Sequence, residues 1–382
     1  MSLALTRDKQ CGFALEVTPG TKKTLTAADY GLEFTDITFT ATPENIENQV
    51  YKGSISASPI RIGKIPGSIT LSGEFKNSGV ANTEAKLLNL LRLCGNTVSP
   101  VFAMTISAPT GTFKKVADIV TGGSSGAKAR IVDVNTTTLY VVVISGTFTA
   151  DEIITGSSSA ATATYESISS TGSGFVAIPT TGYDVAGTFV GYDAGLLKEV
   201  YGAAGTMTLE LSTDSVAKWS ATITGIADAE TWGSIASKVT GISYESIAPL
   251  VVNAANMLID GTVTPITSQM TFDIGNTVSL VKDLNSETWY RQAAITSRTT
   301  VGTLVISQPE PSEYDVFEKL FSGASGTLEY TIGGATAGTG IKIIIPALQW
   351  TGSTNGDDNG FQNNSLPLRA NGNDDEYAIW FR

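Results

Sequence analysis

The 382-residue chain has no histidine, only two cysteines, and charges at just 16% of its positions. Without histidine, the usual general base near neutral pH is missing, as are Ser-His and Cys-His nucleophile pairs and most zinc and iron ligand sets. Cys11 lies near the N-terminus and Cys94 ends an apolar run. Neither a disulfide framework nor a paired-thiol site can be read from them, and both are expected to be reduced. Lys and Arg number 24 against 36 Asp and Glu, a net charge of -12, which argues against a groove that grips phosphates. Long apolar runs are also missing: Leu139 to Ile144 is far too short to span a bilayer, and MSLALTRDKQ reaches Arg7 without an extended apolar core. The protein is therefore expected to be made in a cytoplasm, to stay soluble and to have no membrane partner.

What is abundant favours strands. Glycine is present 39 times, and Thr and Ser dominate the polar residues, a composition suited to pleated strands joined by tight turns. The length allows two or three domains.

Self-comparison gives three matches. Gly202-Ala-Ala-Gly-Thr206, with Met207 to Leu211 and Ala221 to Ile226, matches Gly323-Ala-Ser-Gly-Thr327, with Leu328 to Ile332 and Lys342 to Ala347. In each, a glycine-rich turn leads into alternating apolar residues and a returning apolar strand, which predicts a hairpin with one buried face. Gly67 to Ser72 matches Gly302 to Ser307, and each precedes a helical pattern, Thr83 to Leu93 and Ser312 to Phe321. Thr83 and Ser312 are candidate caps. Leu87, Leu90 and Leu91 share one helical face, as do Val316, Phe317 and Leu320, so each helix can cover a sheet. The third match is internal: Val120-Thr-Gly-Gly-Ser-Ser-Gly-Ala-Lys-Ala129 resembles Ile154 to Ala163 at an offset of 34. Strand-like Ala129 to Val134 and Leu139 to Ile144 lie between its copies, a pattern that predicts a small barrel or sandwich.

These matches divide the chain into a mainly β protein of two related sandwich or barrel domains, each with a flanking helix. The first comprises residues 1–111 and 176–245, a small β module occupies 112–175, and the second domain is 246–382. The module's place between strands around Ser107 and Ala177 suggests an outward-facing loop tip. Acidic Thr351 to Glu376 reads as turns rather than strands, with a last short strand at Tyr377 to Phe381.

Each candidate for chemistry has a plainer structural reading. Gly122 to Lys128 has the look of a phosphate loop but lacks the Gly-Lys-Ser/Thr ending, and its repetition marks it as a turn. Asp357, Asp358, Asp374, Asp375 and Glu376 lack the spacing of a calcium loop. Asp283, Glu287, Asp228 and Glu230 read as surface charges, since nothing pairs them as glycosidase carboxylates. Trp219, Trp350, Trp289 and Tyr290 could stack a sugar, yet two of them belong to the repeated hairpins, which favours core or interface filling. Asn135-Thr-Thr fits a glycosylation pattern that carries no weight without a secretory signal. No catalytic, cofactor-binding or metal-ligating residue is assigned, and a non-enzyme is expected.

Asp193-Ala-Gly-Leu-Leu-Lys198, Gly202 to Leu211 and Trp219 to Ile226 resemble the tail tube proteins of long-tailed bacteriophages, in their duplicated form. Ile69 to Gly73 and the Leu-rich helix ending in Leu93-Cys-Gly95 are similar too. The 112–175 module resembles small domains that decorate other phage structural proteins. The resemblance implies sandwiches flanked by helices, whose inner strands join neighbouring subunits into a barrel lining the tail channel. Two domains per chain would make a trimeric ring of pseudo-sixfold symmetry. Implied partners are further copies of the chain, the tape measure, distal tail and terminator proteins, and genome DNA that passes without specific binding. A virion location would follow. Alternatives are a distal tail or baseplate ring protein of the same fold, or an adhesin binding host-surface glycan through the inserted module.

Overall fold

Strands take up 54% of the chain and helices 5% in a computed structural model that describes residues 8–47, 60–182, 184–213, 215–252, 256–334 and 336–382. The expected mainly β class holds. Period-two alternation is the cause: in one central strand Met207, Leu209 and Leu211 are buried while Thr208 and Glu210 are not.

The first half contains β1 (Lys9–Leu15), a 3-10 turn (Ala27–Tyr30), β2 (Asp36–Ala41), the short pair β3 (Asn45–Ile46) and β4 (Arg61–Ile62), β5 (Pro66–Glu74), α1 (Leu87–Leu93) and β6 (Asn96–Thr110). Next come β7 (Ile119–Gly122), β8 (Lys128–Asn135), β9 (Thr138–Ser145), β10 (Ile153–Gly156) and β11 (Thr162–Pro179). β12 (Gly187–Asp193), β13 (Leu196–Ser212) and β14 (Lys218–Ala227) follow. The second half has β15 (Asn256–Ile259), β16 (Thr267–Asp273), the hairpin β17 (Asn276–Lys282) and β18 (Tyr290–Arg298), β19 (Val301–Ser307) and α2 (Val316–Ser322). It ends with β20 (Gly326–Gly333), β21 (Gly340–Trp350), β22 (Thr354–Asp358), β23 (Phe361–Ala370) and β24 (Ala378–Phe381).

One antiparallel layer runs β2-β5-β14-β13-β16-β19-β23-β22. β13 is long enough to pair its first residues with β12, which in turn carries β1, and its last five with β16. A second layer runs β15-β20-β21-β24-β11-β6. One core lies between them, with Leu71, Leu209, Trp219, Phe272 and Leu304 from the first layer meeting Tyr330, Ile343, Ile379 and Phe381 from the second.

The ends of β6 and β11 continue into a closed six-stranded barrel in the order β6-β9-β8-β7-β10-β11 and back to β6. Val120, Ile131, Val141, Ile154 and Ala163 fill it. The boundary expected at residue 175 falls inside β11, so barrel and sandwich share strands. The barrel does not stand out as a loop tip: Val116 and Val132 pack with Ile344 and Trp380 of the second half.

Both expected hairpins form, β13–β14 and β20–β21. Gly202 to Thr206, however, is not a turn but an irregularity within β13, where pairing skips from Tyr201 to Ala204. Helices appear where expected but start later. The first amide of α1's approach, Lys86 N, donates to Glu245 Oε1 at 2.7 Å, so Thr83 does not cap it. Asp315 Oδ1 accepts from Glu318 N at 2.9 Å and starts α2 in place of Ser312. Thr351 to Glu376 is not strand-poor, because Leu366, Leu368 and Ala370 alternate inward along β23.

Candidate functional site

The repeat of offset 34 becomes a reciprocal pair of carboxylate-filled turns. Glu152 Oε2 accepts from Ser124 N at 3.0 Å and Ser125 N at 2.9 Å, and its other oxygen accepts from Ser125 Oγ at 2.7 Å and Thr149 N at 2.8 Å. Asp118 Oδ1 accepts from Ser158 N at 2.7 Å and Ser159 N at 2.9 Å, while Oδ2 takes Lys114 N at 2.7 Å. Each repeat's acid therefore holds the other repeat's Ser-Ser turn. Although burial opposes ionisation, the Ser125 and Thr149 donors hold the Glu152 pKa at about 2, and the Ser159, Lys114 and Ser158 donors hold Asp118 below its ordinary value. The loop Gly122 to Lys128 is thus an anion nest whose anion is the chain's own Glu152. Sequence inspection missed both acids, though Asp118 and Glu152 stand at the repeat's own offset of 34.

A second unforeseen cluster fastens the barrel to the second half. Lys115 Nζ lies 2.9 Å from Asp133 and 2.6 Å from Glu329, and Lys342 Nζ lies 2.6 Å from Asp133 and 2.8 Å from Glu329. The four charges alternate in sign around a square, with Asp133, Glu329 and Lys342 buried. Burial pushes the Asp133 pKa up, but Lys342 and Lys115 outweigh it and hold the carboxyl below its ordinary value.

The other candidates separate into core and surface. Trp219 is buried, with Nε1 donating to Glu74 O at 3.1 Å, and Trp350 Nε1 donates to Tyr314 Oη at 2.7 Å. Trp289 is 46% exposed at the tip of the β17–β18 hairpin, beside an open groove of about 580 Å³ that Lys22, Tyr201, Asp228, Glu230 and Glu287 also line. Tyr290 is buried beneath the Lys64 ammonium, 5.1 Å from its ring centroid. Asp283 turns onto Asn285 N within the hairpin tip. Asp357 and Asp358 lie on exposed β22. Asp374 is tied to Arg298 at 3.8 Å and accepts from Thr181 Oγ1 at 2.7 Å, Glu376 lies 3.9 Å from Arg298, and Asp375 accepts from Asn373 N. Asn135 accepts from Thr136 N in an exposed turn. Among the described residues no group of three acidic or sulfur ligands could hold a metal ion. Cys11 and Cys94 are free and buried, and burial raises both thiol pKa values, that of Cys94 to about 12. No described helix is long and apolar enough to cross a membrane.

Among the described residues, the surfaces left without a partner are two strand edges, one of two arms and the outer side of α2. β2 pairs only with β5, and β22 only with β23, among the described residues. An arm interrupts the chain between β2 and β5, and another, β17–β18, between β16 and β19. The β17–β18 arm reaches back over the first half. Asn276 Nδ2 donates to Cys94 O at 2.7 Å and Gly205 O at 3.0 Å, and Arg298 Nη2 to Gly95 O at 2.9 Å, closing the C-terminal end of α1. The first arm exposes Ile46, Ile60 and Ile62, while α2 exposes Phe317 and Phe321. Phe317 therefore does not cover the sheet as its helical position predicts; it stacks on Phe321, with ring centroids 6.1 Å apart, on the outer side.

No family model and no curated protein matches this sequence.

Proposed function

We propose that this chain is a non-enzymatic subunit that joins copies of itself into rings, three chains to a ring, stacked as the tail tube of a long-tailed bacteriophage. The observation that carries this reading is the recurrence of one order in both halves: strand, arm, strand, helix, strand, strand. β2, β5, α1 and β6 correspond to β16, β19, α2 and β20 at offsets of 231, 235, 229 and 230 residues. At the ends of β11 and β21 the offset falls to 171, as it must once the barrel has been added to the first half. Neighbours match as well: β5 lies between β2 and β14, and β19 between β16 and β23. On this reading the two tandem units are related at the offset of the Gly67–Gly302 match, 235 residues, and not at the 121-residue offset of the hairpin match.

Read this way, two equivalent units joined edge to edge by β13 and β16 supply a repeating element whose end strands, β2 and β22, are each unpaired on one side among the described residues. Such edges are hazards in a monomer and joints in an assembly. A net charge of -12 disfavours adhesion of a passing nucleic acid to the wall. The virion is the expected location. Electron microscopy of purified protein should show rings or tubes with a central hole; protein that stays monomeric at every ionic strength and concentration overturns the reading.

A further inference from the structure

Resting on the ring reading, we infer that the joint between the two halves of one chain is repeated between chains. β22 of one copy extends its sheet onto β2 of the next, and Asn45 of that next copy closes the C-terminal end of α2. The occupant of both open surfaces is a second copy of this chain.

The filled joint shows what the open one requires. Within the chain, β13 pairs with β16 in the register Leu209 with Phe272 and Glu210 with Thr271. β14 pairs with β5, and β23 with β19, in matching registers that make Ser220 equivalent to Asn363. Thr208 opposes Ser220 and Gly356 opposes Asn363, so β13 and β22 hold the same place, Leu209 and Glu210 matching Asp357 and Asp358. Phe272 and Thr271 correspond to Ala41 and Thr40 at the 231-residue offset. Transfer of the filled joint therefore sets Ala41 opposite Asp357 and Thr40 opposite Asp358. Bonding directions agree: Thr42 N donates to Pro66 O, so alternation turns Ala41 N–H and C=O away from β5, toward the open edge.

The arm gives an independent correspondence. Asn276 becomes Asn45 at the same offset, and Cys94 becomes Gly323 at the offset of the helices. Cys94 and Gly323 are the C-cap residues of α1 and α2. Asn276 spends its amide on the Cys94 carbonyl, whereas Asn45 is exposed. Gly323 O already accepts from Gln349 Nε2 at 2.7 Å, which leaves its second lone pair for a donor. Around these atoms the chemistry is complementary. Exposed Ile46, Ile60 and Ile62 with Arg61 on the arm face exposed Phe317 and Phe321 with Glu313 and Glu318 at α2.

The full-length Thr40→Cys/Asp358→Cys variant tests the register, because the two positions form a non-hydrogen-bonded pair close enough for a disulfide. Under mild oxidation, denaturing gels without reductant should show covalent dimers and trimers that reductant dissolves. Equimolar Thr40→Cys and Asp358→Cys single variants should stop at dimers, and Thr38→Cys/Asp358→Cys should not link. Asn45→Ala should raise the protein concentration needed for assembly by about tenfold, as expected for one lost hydrogen bond at a buried carbonyl, with circular dichroism unchanged. Rings seen by microscopy without the Thr40–Asp358 link overturn this joint and leave the ring reading intact. Failure of the wild-type chain to assemble at all overturns both.

Discussion

The two helices occupy the same place in the order of elements and differ in how they are covered. In α1, Leu87, Leu88, Leu90, Leu91 and Leu93 are all buried, and Asn276 and Arg298 of the second half close its last turn. In α2 only Val316 is fully buried, and Phe317 and Phe321 stand 44% and 83% exposed. The difference lies in the neighbours: α1 packs against β1, β6, β11 and β13 and has its last turn closed by the β17–β18 arm, whereas α2 packs mainly on β21. A helix face is apolar because something packs on it, and α2 keeps that face without the packing.

The contrast is broken most severely from the α1 side. Leu90→Ala, at a position with no exposure, should cost about 3–5 kcal/mol in a denaturant titration, from lost burial and the cavity left behind. Phe321→Ala should shift the same curve by less than about 0.5 kcal/mol while the chain is monomeric. Near-equal losses would show that α2 is covered after all.

Lys342→Met tests what holds the second half from its other side. It leaves Asp133 and Glu329 sharing only Lys115, at a cost of about 3 kcal/mol, and separates barrel unfolding from sandwich unfolding in calorimetry. A single unchanged transition would mean that the apolar contact at Val116, Val132, Ile344 and Trp380 suffices alone.

A smaller effect is expected for Asn276→Ala. The Gly205 carbonyl loses its side-chain donor and Cys94 O keeps only the longer bond from Asn96 Nδ2 at 3.3 Å, which should cost about 2 kcal/mol, whereas Asn45→Ala should leave monomer stability unchanged. Equal monomer effects would remove the contrast between a filled joint and an open one.

The smallest effect concerns pH. Glu152 is held at about 2 in the fold, below the roughly 4.3 of an unfolded glutamate. Its contribution is therefore complete above about pH 5 and is lost as pH falls toward 2. Thermal unfolding of Glu152→Ala should run below wild type at pH 7 and converge with it near pH 2. Parallel curves would show that the carboxylate contributes nothing to the barrel.

Much of this was legible before the fold. The repeat at offset 34 anticipated a small barrel, and both hairpins and both helices lie where alternation and leucine spacing put them. The order shared by the two halves was legible in part: the match of Gly67 to Ser72 with Gly302 to Ser307 has the offset of 235 at which β5 and β19 correspond, whereas the hairpin match at offset 121 did not follow that order. Gly202 to Thr206 and Gly323 to Thr327 look alike because short runs of glycine and alternating apolar residues are common to any buried strand, so the match joined strands that are not neighbours of the same partners. The β2–β5 arm escaped notice for the same reason: Asn45-Ile46 and Arg61-Ile62 carry too few residues to show a period.

By itself, then, the sequence determined the strand-rich class, the two leucine- and phenylalanine-bearing helices and the nested repeat of glycine- and serine-rich turns. These depend on neighbours within a few positions, where backbone geometry imposes periods of 2 or 3.6. Only the tertiary structure decided which edges are paired, that Glu152 and Asp118 fill each other's turns, that four charges from residues 115 to 342 meet in one square, and that a distant arm closes the last turn of α1 while Phe317 and Phe321 of α2 stay exposed. Each of these brings together groups far apart in the chain, and long-range pairing is settled by the packing of the whole sheet and not by any local pattern.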